Sequence, residues 1–132
     1  MSRPDIISIG DATEDVFLQL QEAKVHCNLG PGGCQLCMNY ADKIPVKRVD
    51  KLIGGNAANL AIGMSRLGRK SAQYVELGDD DQGKKILRTL RKEGVNTKYV
   101  HIKKGVKTNY SVVLNLNAER TILIYHVERK YK

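Results

Sequence analysis

Apolar positions along the chain fall into short alternating runs, with helical spacing in two places, and that pattern lays out the elements. Asp5-Ile6-Ile7-Ser8-Ile9 is a compact apolar run closed by Gly10, which predicts a buried strand ending in a glycine turn. Val16, Leu18 and Leu20 alternate with Phe17 and Gln19 and predict a second extended piece, with Asp15 at the turn into it. Residues 43–49 alternate around Pro45, which suits an edge strand. From Leu52 the period changes. Gly54 and Gly55 precede small residues and then the apolar repeat Leu60, Ala61, Met64 and Leu67, closed by Gly68, so a loop is predicted to turn into a helix. Ala57, Ala58, Ala61 and Gly63 keep that helix thin enough to pack closely on a neighbouring layer, as an α/β core requires.

Residues 71–77 predict another strand, ending at Gly78. Asp79, Asp80 and Asp81 then place acids at the positive end of a second helix. Ile86, Leu87 and Leu90 form its apolar face, Arg91 and Lys92 its negative end and Gly94 its stop. Those acids could serve a metal, but capping accounts for all three. Residues 99–103, 108–116 and 120–127 read as strands, the last two as a hairpin around Asn117-Ala118-Glu119. Strand, extended segment, strand, helix, strand, helix and further strands define an α/β chain.

Chemistry concentrates at two places. Residues just beyond a strand's C-terminal end face the ligand crevice of an open α/β sheet, which makes Asp11, Thr13 and Asp15 candidates. Gly54 and Gly55 let a ligand approach the backbone, and the free amides of the helix they open favour oxygen-rich partners.

A third place is the segment 26–37. Cys27, Cys34 and Cys37 surround Gly30-Pro31-Gly32-Gly33, and His26 adds a nitrogen, giving the ligand count of a Cys3His zinc site. Cys34 and Cys37 have knuckle spacing, whereas Cys27 abuts His26, and adjacent ligands seldom reach one metal. Three reduced thiols are the alternative. An odd cysteine count and no secretion signal argue against a disulfide at Cys27.

Composition narrows the class. The 132 residues suffice for one domain, and 42% hydrophobic with 27% charged residues is ordinary for a globular chain. No apolar run approaches the roughly 20 residues of a membrane span, so no membrane role and a cytoplasmic location are expected. Net charge is +8, yet the basic residues are scattered and one Phe with no Trp leaves little for base stacking, which points away from nucleic acid.

The glycine-helix run resembles the first signature of the PfkB (ribokinase-like) carbohydrate kinase family, with Gly54, Gly55, Ala57, Asn59, Ala61, Gly68 and Gly78 at its positions. The resemblance implies a ribokinase-like α/β core, the N-terminal part of a mostly parallel sheet with flanking helices, plus a β-strand lid at about residues 15–50 and 106–127. It implies a sugar or nucleoside as substrate, with Asp15 accepting hydrogen bonds from hydroxyls, Gly54 and Gly55 allowing close approach and Asn59 serving a further hydroxyl. Thr13 stands where an asparagine is often expected. ATP and magnesium are implied as well. The family's Asp-Thr-x-Gly-Ala-Gly-Asp-like motif, which carries the catalytic aspartate and anion hole, has no match here. No catalytic residue is therefore expected in this chain, which reads as a substrate-binding part of a kinase without its C-terminal ATP-binding part.

Two other classes remain open at this point. A non-catalytic sugar-binding or regulatory protein would share the same turn and helix. A basic zinc or nucleic-acid module would lean on Lys103, Lys104, Lys107 and the cysteines. Apolar alternation in residues 111–116 and 121–125 leaves strand edges and faces through which a homo-oligomer could form.

Overall fold

The computed structural model describes residues 3–27 and 33–129, so Gly30, Pro31 and Gly32 of the glycine-rich loop lie outside the described residues. The elements run β1 (Ile6–Ile9), β2 (Thr13–Leu20), β3 (Lys24–Cys27), β4 (Cys34–Cys37), β5 (Val46–Gly54), α1 (Asn56–Arg66), β6 (Ser71–Gly78), α2 (Asp81–Lys92), β7 (Val100–Lys103), β8 (Tyr110–Leu116) and β9 (Glu119–Tyr125).

Three of the strands form a parallel sheet in the order β1-β6-β7. Its central strand is the most buried, and Val75 and Leu77 point from it onto the helices. There they meet Ala58, Ala61 and Ile62 of α1 and Ile86 and Leu90 of α2 in one buried cluster. Removing a leucine or isoleucine side chain of that size from water contributes about 1.5–3 kcal/mol each. Alanines on the buried face of α1 bring its axis close to the sheet, and Ser71 Oγ donates to the Ala61 carbonyl across the gap at 2.7 Å.

The second sheet is mixed. In the order β5-β2-β8-β9, β2 and β8 run parallel while both outer pairs are antiparallel. As the alternation around Pro45 predicts, β5 is an edge strand, but it extends through Leu52 and Ile53 to Gly54, where a loop was expected. Asp15 likewise sits inside β2 rather than at a turn, because pairing with β5 starts at Thr13. Asn117 and Ala118 both adopt positive φ, 50° and 65°, in the two-residue turn joining β8 to β9, a geometry that matches strand twist.

The two sheets are joined at the root of β8. Asp80 caps α2 by accepting from the Gly83 amide at 3.0 Å. Its carboxylate also accepts from the Thr108 hydroxyl at 2.6 Å and the Thr108 amide at 2.9 Å. Thr108 Oγ1 in turn accepts from the Gly78 amide at 3.0 Å. Capping was expected of all three acids, but only Asp80 caps the helix: Asp79 accepts from the Gly105 amide of a distant loop, and Asp81 pairs with Lys84 in the first turn.

Partial burial raises the Asp80 pKa, but the hydrogen bonds from Thr108 and Gly83 and the charge of Lys107 outweigh that and hold it below the ordinary carboxylate value. The folded protein thus binds this proton less readily than the unfolded chain. The carboxylate's contribution is present in full above about pH 4 and is lost as pH falls through the depressed folded value. Asp80→Ala should lower the urea unfolding free energy at pH 7 by about 1–2 kcal/mol. The gap to wild type should narrow steadily below about pH 4; a gap independent of pH would show that the carboxylate charge is not what holds the joint.

Candidate functional site

Thr13, Asp15, Gly54 and Gly55 come together where β2 and β5 pair beside the start of α1. Thr13 faces Gly54 and Asp15 faces Leu52 across the ladder, so Thr13, Asp15 and Gly54 share one side of the sheet. Thr13 Oγ1 donates to Asp15 Oδ1 at 2.7 Å. A Cβ at Gly54 would fall inside the Asp15 carboxylate, which therefore lies flat against the Gly54 backbone. This gives the glycine a purpose the sequence alone left general, which is to make room for the acid.

Gly55 has φ +92°, and a Cβ there would overlap the Asp11 carbonyl and the Ala12 backbone. It occupies the cap position of α1 without a side-chain cap. Of the first amides of the helix, that of Ala58 is served by backbone, donating to the Asp11 carbonyl at 3.4 Å. Asn59 lies one turn into α1. It is exposed, its amide bonds the Gly55 carbonyl at 2.9 Å, and its side chain bonds none of the described residues.

Two residues that sequence reasoning missed stand beside Asp11. Asn109, 2% exposed, donates from Nδ2 to Asp11 Oδ1 at 3.2 Å and lies 3.2 Å from His126 Nδ1. His126 Nδ1 is 3.6 Å from Asp11 Oδ2. Neither belongs to a local motif; both are strand-end residues brought to β1 only by the parallel pairing of β2 with β8.

The zinc expectation is corrected. Residues 24–27 and 34–37 form the antiparallel hairpin β3–β4, in which Cys27 pairs with Cys34 and Cys37 with Lys24. Strand alternation puts Cys27 and Cys34 on one face and His26 and Cys37 on the other, so the four cannot surround one ion. Cys27 and Cys34 are joined in a disulfide, contrary to the odd-count argument, and Cys37 is the free thiol. No group of three or more His, Cys, Asp or Glu suited to a metal occurs among the described residues. No helix among them is long and apolar enough to cross a membrane.

Gly55→Ala should destabilise the fold by about 1–3 kcal/mol, since it meets both a left-handed backbone and the Asp11 carbonyl. At Gly63, inside α1 with nothing within 4 Å of a Cβ, alanine should stabilise by about 0.5–1 kcal/mol. Denaturant unfolding of the pair checks the assignment, and equal effects would refute it. For the hairpin, thiol titration of denatured, unreduced protein should find one reactive sulfhydryl, Cys37, and peptide mapping should join Cys27 to Cys34. Three thiols with stoichiometric zinc would restore the metal reading.

Comparison with known proteins follows the same geometry. Probable fructokinase-3 of Arabidopsis thaliana is 40% identical over 76 residues, 57% of this chain and 22% of its own length. The 5-dehydro-2-deoxygluconokinase of Geobacillus kaustophilus is 44% identical over 50 residues, 38% of this chain and 15% of its own. The chain thus spans less than a quarter of the length of these curated relatives. Among solved structures, Arabidopsis thaliana ribokinase complexed with ribose and ATP superposes with a TM-score of 0.74 at 23% identity, over 94% of this chain and 36% of the other. A sugar kinase from Pyrococcus horikoshii gives 0.65 at 28% identity, over 90% and 34%. These likenesses agree with the ribokinase-like α/β fold. The model of the pfkB family carbohydrate kinases matches residues 10–130, and the chain belongs to that family.

Proposed function

We propose that these residues form the sugar-binding part of an ATP-dependent sugar kinase. The observation that carries the reading is the Asp15 carboxylate laid against Gly54 with Thr13 donating to it. One carboxylate oxygen is held by the protein, and the acid retains acceptor capacity for the hydroxyl hydrogens of a sugar. Gly54 and Gly55 keep the neighbouring backbone low, and Asn59 offers an amide one helical turn further on. Relatives named for fructose, ribose and 5-dehydro-2-deoxygluconate support a monosaccharide or sugar acid as the ligand.

ATP and magnesium are ascribed to kinase segments outside these residues. The described residues do not fit a magnesium site: Asp79, Asp80 and Asp81 are occupied with backbone amides and Lys84. No step of phosphoryl transfer is assigned to them. The exposed apolar row Ile122, Leu123, Ile124 and Tyr125 on edge strand β9 supports a second copy of the chain as a partner of the lid.

Calorimetric titration of ribose and fructose tests the reading. Charge-assisted hydrogen bonds contribute about 1.5–3 kcal/mol each, so Asp15→Ala should weaken binding by about tenfold or more, and Asn59→Ala, losing neutral bonds, by less. Unchanged affinity in Asp15→Ala would remove this residue from the site.

A further inference from the structure

Asn109 is buried with both ends of its amide committed. Its Oδ1 accepts the Val127 N–H at 2.9 Å, which fixes the orientation of the amide. Nδ2 then faces Asp11 Oδ1 and His126 Nδ1, each at 3.2 Å. An amide nitrogen has two hydrogens, one for each of these partners. A neutral imidazole that accepts at Nδ1 carries its own hydrogen on Nε2. A protonated ring carries hydrogens on both nitrogens, with Asp11 Oδ2 3.6 Å away as the counter-charge at Nδ1. In both states Nε2 is a donor.

The position of the ring gives that donor a use. Asn109 and Asp11 lie at the Nδ1 edge, the His126 side chain is 54% exposed, and Nε2 bonds none of the described residues. Asp11 belongs to the turn between β1 and β2 that continues into Thr13 and Asp15, and its carbonyl lies against Gly55. His126 therefore stands beside the turn that leads into the strand carrying Asp15. The two side chains are complementary: ionised Asp15 only accepts, and Nε2–H only donates.

We propose that His126 is a specificity-determining residue, donating from Nε2 to an acceptor oxygen of the ligand, and that the site favours a sugar carrying a carboxylate or keto oxygen at the end opposite the hydroxyls bound by Asp15. The inference rests on the sugar-binding reading above. Asn109 is a positioning residue, acting only by fixing the ring's tautomer.

The probes are D-gluconate and D-glucitol, which differ only in a carboxylate against a hydroxymethyl group, with ribose and fructose titrated in parallel. Wild type should bind gluconate about tenfold more tightly than glucitol. His126→Ala should abolish that preference, and His126→Gln, whose amide nitrogen reaches about as far as Nε2, should keep part of it, whereas His126→Asn should not. Long-range proton–nitrogen NMR of the free protein should show the Nε2–H tautomer for the imidazole missing from the His126→Gln spectrum. An Nδ1–H tautomer, or a gluconate preference surviving in His126→Ala, overturns the proposal. Binding of ribose or fructose with no preference for gluconate overturns it while leaving the sugar-binding reading intact. Absence of binding to all four sugars overturns both.

Discussion

The contact between Gly55 and the carbonyl of Asp11 is the constraint on which the candidate site depends. A left-handed backbone at the cap position lets the end of β5 pass directly into α1 while touching the β1–β2 turn. Any side chain there would push the helix start away from the turn. Because no side chain caps α1, the turn itself supplies the acceptor for Ala58 N–H, so helix, turn and edge strand hold one another in place. Ala57 and Ala58, both buried, continue the close approach into the core.

Two consecutive buried polar residues make the second joint. Thr108 reaches the N-terminus of α2 and the end of β6, while Asn109 reaches the exit of β1 and the backbone after β9. At 3% and 2% exposure their polar atoms would be costly to leave unpaired, and each is bonded on more than one side. The mixed sheet is thus pinned to the parallel one at its root, while its outer strand β9 is exposed along its whole length.

What the sequence made legible follows from range. The helix starts and stops, the glycine pair and the β8–β9 turn are local, and local patterning located them to within a residue or two. Asp80 is the cap its position among three acids suggests. The start of β2 at Thr13 and the end of β5 at Gly54 were missed because each is set by the other strand, about 40 residues away along the chain. Counting donors suggested zinc at Cys27, Cys34, Cys37 and His26, but the count carried no information about faces, and once the segment is a hairpin the alternation separates them. Asn109 and His126 carried no signal at all, since a polar residue before a strand and a histidine after one are ordinary until β8 is laid beside β2.

The register of β2 shows why the site is specified more sharply than its hydrogen bonds alone would allow. Adjacent acids point to opposite sides of this strand: Glu14, 5% exposed, pairs with Lys85 of α2, and Asp15 lies on the side of Gly54. A half-buried ion pair of this kind adds little net stability, since desolvation offsets most of the attraction. Its effect is on alternatives. A slip of one residue would turn Asp15 toward Lys85 on a shorter side chain and bring Glu14 over Gly54, where a longer side chain would have to lie, and it would move Val16 out of the buried layer. Each consequence is unfavourable, and they arise together from one displacement. The buried pair on the helix side therefore selects the register that presents Asp15 on the other.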